Sequence, residues 1–500
     1  MLKYICSEIT WNNLCYNRKT CNMADSLLTR TLKQLSRKER TALVEFTRCG
    51  CFNRREEVSR LCAYLAENID NPDRKALDPS SLFAAAFPNQ VFNNAALRHT
   101  MSYLLSVLRQ YLAWAEWQSD MAEQRRYLLS ALRNRNLDVL LEKELNRAES
   151  ALENPETQDA GFYFQRYRMQ QERLEKTARH ERSARINLQP LPDELTVFYL
   201  AEMLRHACSA LSHQAIAGQE YRFNLLEKLL ELAETEGLLD VPVIAMYYQA
   251  YQMLRAPEAS APLERLKTLL LEHENRFSQK EMRGLYLLAI NGCIRRMNSG
   301  RREYIREAFD LYRAALERDF LTENGVLSGF TYKNIIRIGA ALEEHSWTEQ
   351  FLEDYRTALL PRERDNLYRY NRAFLYFQQQ DYARAMPLLQ QVELEDTLNN
   401  LDARRMLLRS YFELGEWTAL ESLLQSFGAY LRRQKNLGYH RQTNERLLYF
   451  TRRLMELDRG QRQAVEALRV ELEATTELAE RSWLLSQVTP SVRRRGQIPE

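Results

Sequence analysis

The sequence predicts an all-α protein: an α-solenoid of antiparallel helix pairs behind an N-terminal helical domain. Three observations carry this. Glycine (15) and proline (13) are scarce in 500 residues, which leaves few tight turns and few hairpins. Apolar residues recur at three-to-four spacing in segment after segment, the period of an amphipathic helix. No alternating apolar/polar run of strand length stands beside a hairpin signal.

Taken in order, residues 1–22 hold three of the eight cysteines, Cys6, Cys15 and Cys21. They precede the helical pattern that opens at Met23 and read as a disordered extension or as an upstream start that the native protein does not use. Peptide mass spectrometry of the native N-terminus decides, since abundant peptides from residues 4–18 would exclude the second option. Residues 23–153 read as the N-terminal helical domain. Ser36 and Glu39 have capping-box spacing and open a helix through Phe46, which Gly50 ends. Asn53 with Glu56 is expected to open the next, which carries Val58, Leu61, Cys62 and Leu65 on one face. Asp78-Pro79 puts proline in a first helical turn before residues 82–87. The stretch 95–117 is the most apolar. Leu97, Met101, Leu104, Leu105, Leu108, Leu112 and Trp114 or Ala115 make a stripe wide enough for a central helix. Helices over 119–132 and 137–153 follow. Residues 154–190 read as a charged connecting helix, bounded by Pro190 and Pro192.

From 191 to 457 the chain runs as helix after helix. The breaks fall at Gly218, Gly237, Pro257 to Pro262, Ser278, Gly300, Gly325 to Gly329, His345-Ser346, Pro361, Asp381, Asn399 and Gly415. Helix pairs with short links at this spacing are the pattern of an α-solenoid. Residues 458–487 read as a capping helix, and 488–500 as a disordered basic tail.

Between 331 and 435 a 35-residue period recurs. Ile338, Ala373 and Leu408 correspond; so do Tyr376 and Tyr411, with Ala341 in the earlier copy. Trp347, Tyr382 and Trp417 correspond, then Ala385 with Leu420 and Leu389 with Leu424. The clearest unit is NRAFLYFQQQDYARAMPLLQQV at 371–392. This pattern resembles the tetratricopeptide repeat, in which a small residue and an aromatic on one helix face an aromatic and an alanine on the next. The family's proline at the repeat end is absent. The resemblance implies a concave surface lined by the first helix of each pair, with Tyr370, Phe374, Phe377, Arg405, Arg409 and Phe412 facing a bound peptide or helix. Arg405 and Arg409 are one turn apart, so both are expected to reach one acidic group. The alternative is that the three phenylalanines are packing residues.

The rest of the chemistry is sparse. The charge balance, 70 basic against 67 acidic residues for a net +3, makes no global case for nucleic acid. One segment departs from it. Arg432, Arg433, Lys435, Arg441, Arg446, Arg452 and Arg453 face the single acid Glu445, with Tyr430, Tyr439, Tyr449 and Phe450 between them. This is either a phosphate-binding surface with stacking aromatics, or core aromatics with arginines paired to neighbouring helices. His206, Cys208 and His213 share a helix, but Cys208 lies on a different face. Cys49, Cys51 and Cys62 lack zinc-ligand spacing. None of the phosphate-loop, dinucleotide, zinc-protease or nucleophile-elbow motifs occurs, so no catalytic, cofactor or metal residue is assigned. No apolar run is long enough to span a bilayer, and the eight cysteines are too few for a disulfide scaffold. The chain is read as cytoplasmic, not an enzyme, and without membrane insertion. The expected function is non-catalytic recognition of another protein in the concave groove. The alternatives are a nucleic-acid or phosphate adaptor through 432–453, and an enzyme with an unrecognised helical site.

Overall fold

The computed structural model describes residues 25–489 apart from 154, 156, 181–186, 218, 393–395, 435–436 and 459. The expectations for residues 1–22, for Lys435 and for 490–500 therefore lie outside the described residues. Among the described residues the chain is all-α, with 23 α-helices and one two-stranded hairpin. It divides into two compact units. One holds residues 1–202 with 213–220, the other 203–212 with 221–500, so the division falls inside the helix that begins at Pro190.

The first unit holds α1 (Leu27–Gln34), α2 (Arg37–Arg48), α3 (Glu56–Asn68), α4 (Pro79–Ala86), α5 (Asn94–Ser119), α6 (Met121–Asn134), α7 (Asp138–Glu153) and α8 (Ala160–His180). The Ser36–Glu39 capping box is present at α2 in both directions. At α3 the expectation was wrong: the N-cap is Arg55, with no side-chain hydrogen bond. Asn53 is buried and spends its amide on the Thr47 and Arg55 carbonyls and on Ser59 Oγ. α5 is the central helix, packed by α1, α2, α3 and α4. It buries Leu97, Met101, Leu104, Val107, Leu108 and Tyr111, while Leu112 and Trp114 are exposed. α8, expected to be a connector, packs on α6 and α7. Arg133 of α6 pairs with Glu172 and Glu175 of α8 at 2.9 and 2.6 Å, and Arg173 of α8 pairs with Glu142 and Glu149 of α7. The charge that suggested a solvated connector thus forms its bonds to neighbouring helices.

α9 (Pro190–Ala217) carries residues of both units. The second unit continues with α10 (Leu226–Thr235), α11 (Pro242–Arg255), α12 (Ala261–His273), α13 (Gln279–Asn298) and α14 (Tyr304–Glu317). Then come α15 (Gly329–Ala341), α16 (His345–Asp354), α17 (Pro361–Gln378), α18 (Tyr382–Gln390), α19 (Thr397–Leu414) and α20 (Trp417–Arg433). It ends with α21 (Tyr439–Glu456), α22 (Arg462–Ala474) and α23 (Arg481–Val488). From α10 onward most helices pack on the next one along the chain, and α11 also touches α13, α15 touches α17, α17 touches α19 and α21 touches α23.

Among the described residues six helix ends share one turn. At Asn136, Gly300, Asp319, Glu343, Gln380 and Gly415 the backbone is left-handed. In each the next N–H bonds back to the carbonyl five residues earlier, as in Asp381 to Tyr376 and Glu416 to Tyr411. This is the Schellman arrangement, which satisfies the orphan carbonyls of a helix end and reverses the chain. The last three of these turns have their left-handed residues at 343, 380 and 415. The second interval keeps the 35-residue period, and the first is two residues longer. Tyr382 and Trp417 each open a second helix two residues past the turn; His345 holds that place in the earlier pair, not Trp347.

Two further differences are local. β1 (Thr322–Glu323) pairs antiparallel with β2 (Val326–Leu327) across Asn324-Gly325, both left-handed. That dipeptide is a hairpin signal, here attached to strands too short to show alternation. The expected helix at 458–487 is broken at Thr475–Glu480. There Arg481 donates to the Thr475 and Glu473 carbonyls at 3.2 and 2.7 Å, ending α22. Val488 belongs to α23, so the last helix runs past 487.

Candidate partner-binding face

α15, α17 and α19 each contribute side chains to one polar cluster within the second unit. Asp402 of α19 is its centre. Arg337 of α15 pairs with it, the Tyr370 hydroxyl of α17 donates to it at 2.5 Å, and Arg405 one turn along α19 holds its other oxygen at 2.8 Å. Arg337 also reaches the Tyr370 hydroxyl at 2.6 Å and lies 4.7 Å over the Phe374 ring. Lys333, one turn before Arg337, donates to Asn399 Oδ1 at 2.6 Å.

Burial and charge act against each other here. Burial pushes the Asp402 carboxyl up, but Arg337, the Tyr370 hydroxyl and Arg405 outweigh it and hold it below the usual carboxylate value. Burial and the adjacent carboxylate raise Tyr370 well above an ordinary tyrosine. Lys333 is lowered, by burial first and then by Arg337, with Asp396 and Asp402 opposing. Lys333, Arg337 and Arg405 thus stand around Asp402, whose carboxyl is held toward its charged form.

The next stretch of the same helices carries Phe377 of α17 with Arg409 and Phe412 of α19. Arg409 sits 4.7 Å over the Phe377 ring and pairs at 2.9 Å with Glu480, just ahead of α23. Trp483 of α23 meets Phe412 edge-on at 5.2 Å and donates its indole N–H to Glu413 at 2.7 Å.

Of the six residues the sequence placed on this face, Tyr370, Phe374 and Arg405 lie around Arg337 and Asp402, and Phe377, Arg409 and Phe412 lie around Trp483 of α23. Their accessibility differs from expectation. Tyr370, Phe374, Phe377 and Phe412 are buried, so the aromatics pack between helices, and the arginines are the half-exposed members. Arg405 and Arg409 do not share one acid: the first holds Asp402, the second Glu480. Sequence reasoning missed Lys333, Arg337, Asp402, Glu413, Glu480 and Trp483. Arg405–Asp402 apart, their side-chain bonds span 32 to 74 residues, and no local pattern encodes such pairs.

The basic segment is divided. Arg446 pairs with Glu477 at 3.5 Å, Arg453 pairs with Glu471 at 3.3 Å, and Arg441 donates to the Gln434 carbonyl. Phe450 is core, whereas Tyr439 and Tyr449 are exposed. Among the described residues Arg432, Arg433 and Arg452 are exposed with no ion pair. Cys208 is fully buried, its thiol directed at the Tyr247 carbonyl, and burial pushes it far up. Burial likewise raises the Cys62 and Cys293 thiols to about 12. Among the described residues no set of His, Cys, Asp and Glu is placed to hold a metal, and no helix is long and apolar enough to cross a membrane.

Set against known proteins, the chain matches no family model, no curated protein and no solved structure.

Proposed function

We propose that the second unit is a stack of antiparallel helix pairs resembling tetratricopeptide repeats, and that it recognises another protein without catalysis through the face of α15, α17 and α19. The observation that carries this is the convergence of Lys333, Arg337, Tyr370, Asp402 and Arg405, from three alternate helices, on one charged and partly exposed cluster. Structural ion pairs need no such alignment along every second helix. Arginines held by aromatic stacking and a fixed carboxylate have lost much of their rotamer freedom before a partner arrives, which lowers the cost of binding. A partner presenting carboxylates suits the cationic excess. Among the described residues five thiols are free, two of them exposed, which fits a reducing compartment, and we place the protein in the cytoplasm.

A second reading has its own observation. Arg432, Arg433 and Arg452 are exposed and without an ion pair among the described residues, in a segment that also exposes Tyr439 and Tyr449, which suits phosphate contact with stacking.

One experiment separates the two. Crosslinked capture from native lysate compares wild type with Lys333→Ala/Arg405→Ala and with Arg432→Ala/Arg433→Ala/Arg452→Ala, each with and without nuclease. The first double variant keeps the Arg337–Asp402–Tyr370 core. A protein lost in it and indifferent to nuclease supports recognition by the α15–α17–α19 face. Recovery that survives it and collapses with nuclease or the triple variant moves the function to the basic segment.

A further inference from the structure

We propose that the surface of Phe377, Arg409, Phe412 and Glu413 is a helix-docking site, that α23 is its resident occupant, and that it admits in trans a helix with a carboxylate three residues before an indole. The inference rests on the recognition reading above and names the partner's chemistry.

Three observations carry it. The first is how α23 is held. Glu480 answers Arg409 at 2.9 Å, and Trp483 lies edge-on to Phe412 with its N–H on Glu413. Gln487 reaches the same Glu413 carboxylate at 3.1 Å. Indole and amide, four residues apart, lie on one side of α23, and the acid stands at its N-cap; a helix presents itself to a groove in this way. Arg409 is held between the Phe377 and Trp483 rings, 4.7 and 5.5 Å from their centres. It is therefore positioned by one ring of the receptor and one of the occupant.

The second observation is the joint. α22 ends at Ala474, and the chain breaks through Thr475–Glu480 before α23. Glu480 is left-handed at φ 54°, a conformation with a penalty for a residue bearing a Cβ. The same residue makes the ion pair to Arg409, so strain and docking sit at one position. Departure of α23 relieves the first as it loses the second.

The third is the distribution of cover. α23 meets the Arg409–Phe412–Glu413 end of α19, whereas the side chains around Asp402 are answered by α15 and α17. A partner can therefore engage the cluster around Asp402 first and reach the α23 site by displacement. α23 also packs on α21 and α22 and buries Trp483, Leu484 and Val488, so the closed state is the resting one. An occupant that opens rarely lowers apparent affinity for a competitor in proportion to the open fraction.

The test uses the full chain and a fluorescent peptide of residues 476–489. Binding is measured to wild type and to Glu480→Arg/Trp483→Ala, in which the resident helix is weakened. We expect the variant to bind the peptide at least roughly tenfold tighter than wild type, because the competing closed state is depopulated. A peptide carrying the same two substitutions should bind neither. Placing Arg409→Glu in the variant should abolish binding and a Glu480→Arg peptide should restore it. Equal binding to wild type and variant, or equal binding of the substituted peptide, overturns the proposal. Hydrogen exchange on wild type guards against a variant that misfolds. Amides of α23 must exchange ahead of those of α19 to α21, and equal protection overturns the proposal. Loss of captured protein in Lys333→Ala/Arg405→Ala with no peptide binding here would leave the recognition face standing and remove only α23 as its occupant.

Discussion

At the scale of single residues the turns offer the cleanest arithmetic. Glu343 and Gln380 hold left-handed backbone at φ 59° and 60°, where Gly415 stands in the corresponding turn at φ 72°. A side chain there costs on the order of 1 kcal/mol, and glycine gives part of that back through the entropy of the unfolded chain. Gln380→Gly is therefore expected to stabilise by about 0.5 kcal/mol and Gly415→Ala to destabilise by about 1 kcal/mol. Urea midpoints at constant slope measure both. A loss of stability in Gln380→Gly would mean that the glutamine side chain contributes more than its backbone strain costs. Asp402 supplies a second case. Its carboxyl is held below the ordinary value of 3.8, so the stability it contributes is complete above that value and drains as pH falls through its lower folded value. Asp402→Asn leaves the half-buried Arg337 and Arg405 without their counter-charge and should cost about 1 to 2 kcal/mol at neutral pH. The gap between wild type and variant should narrow as pH drops below 3.8, and a gap constant down to acid unfolding would remove Asp402 as the charge partner.

At the scale of the element, the close approach of α15 and α16 depends on one missing side chain. A Cβ on Gly339 would stand 2.2 Å from the Thr348 hydroxyl, and Thr348 is itself buried, donating to the Glu344 carbonyl. Gly339→Ala gains helix propensity but overpacks the seam, for a net loss of about 1 to 2 kcal/mol. Adding Thr348→Ala should recover most of that loss. A double-mutant cycle reads the coupling, and additive effects would place the strain elsewhere. What the sequence disclosed follows the range of each interaction. Ser36 with Glu39, Ser278 ahead of α13 and Asp381 ahead of α18 are caps within three residues, and each was readable. Asn53 was marked as structural for the wrong reason, because a capping residue and a loop-filling amide look alike until the carbonyls around it are placed. The break before α23 was missed because Thr475 and Thr476 interrupt the apolar period only weakly. Arg481, which closes α22 by bonding its last carbonyls, looks like any surface arginine. Tyr370 with Arg405, Phe374 with Arg409 and Phe377 with Phe412 stand 35 residues apart, a period the sequence displays, whereas their partners Arg337, Asp402 and Glu480 were not legible, since no period relates an acid to a base on another helix.

At the scale of the molecule, the second unit's packing predicts how it comes apart. If its helices form a stack, stability is close to a sum of local pairs and their nearest interfaces, and damage spreads by adjacency. Phe427 of α20 is fully buried, and Arg404 of α19 stacks near it at 5.9 Å. Phe427→Ala removes a large core side chain and should cost about 3 to 4 kcal/mol. Because α20 packs on α19 and α21, native-state hydrogen exchange should show protection falling first in α19, α20 and α21, next in α17 and α18, and least in α11 to α14. The reasoning is that the buried side chains of α11 to α14, Ile244, Met246, Leu285, Ile290 and Phe309 among them, belong to helices several neighbours away from α20. A graded profile of this kind is what a chain of nearest-neighbour interfaces produces, and it leaves the face of α15, α17 and α19 partly assembled when the C-terminal end opens. Uniform loss from α10 through α23 would instead mark the unit as one cooperative block. It would count against the stacked-pair reading and against any opening of α23 apart from the rest.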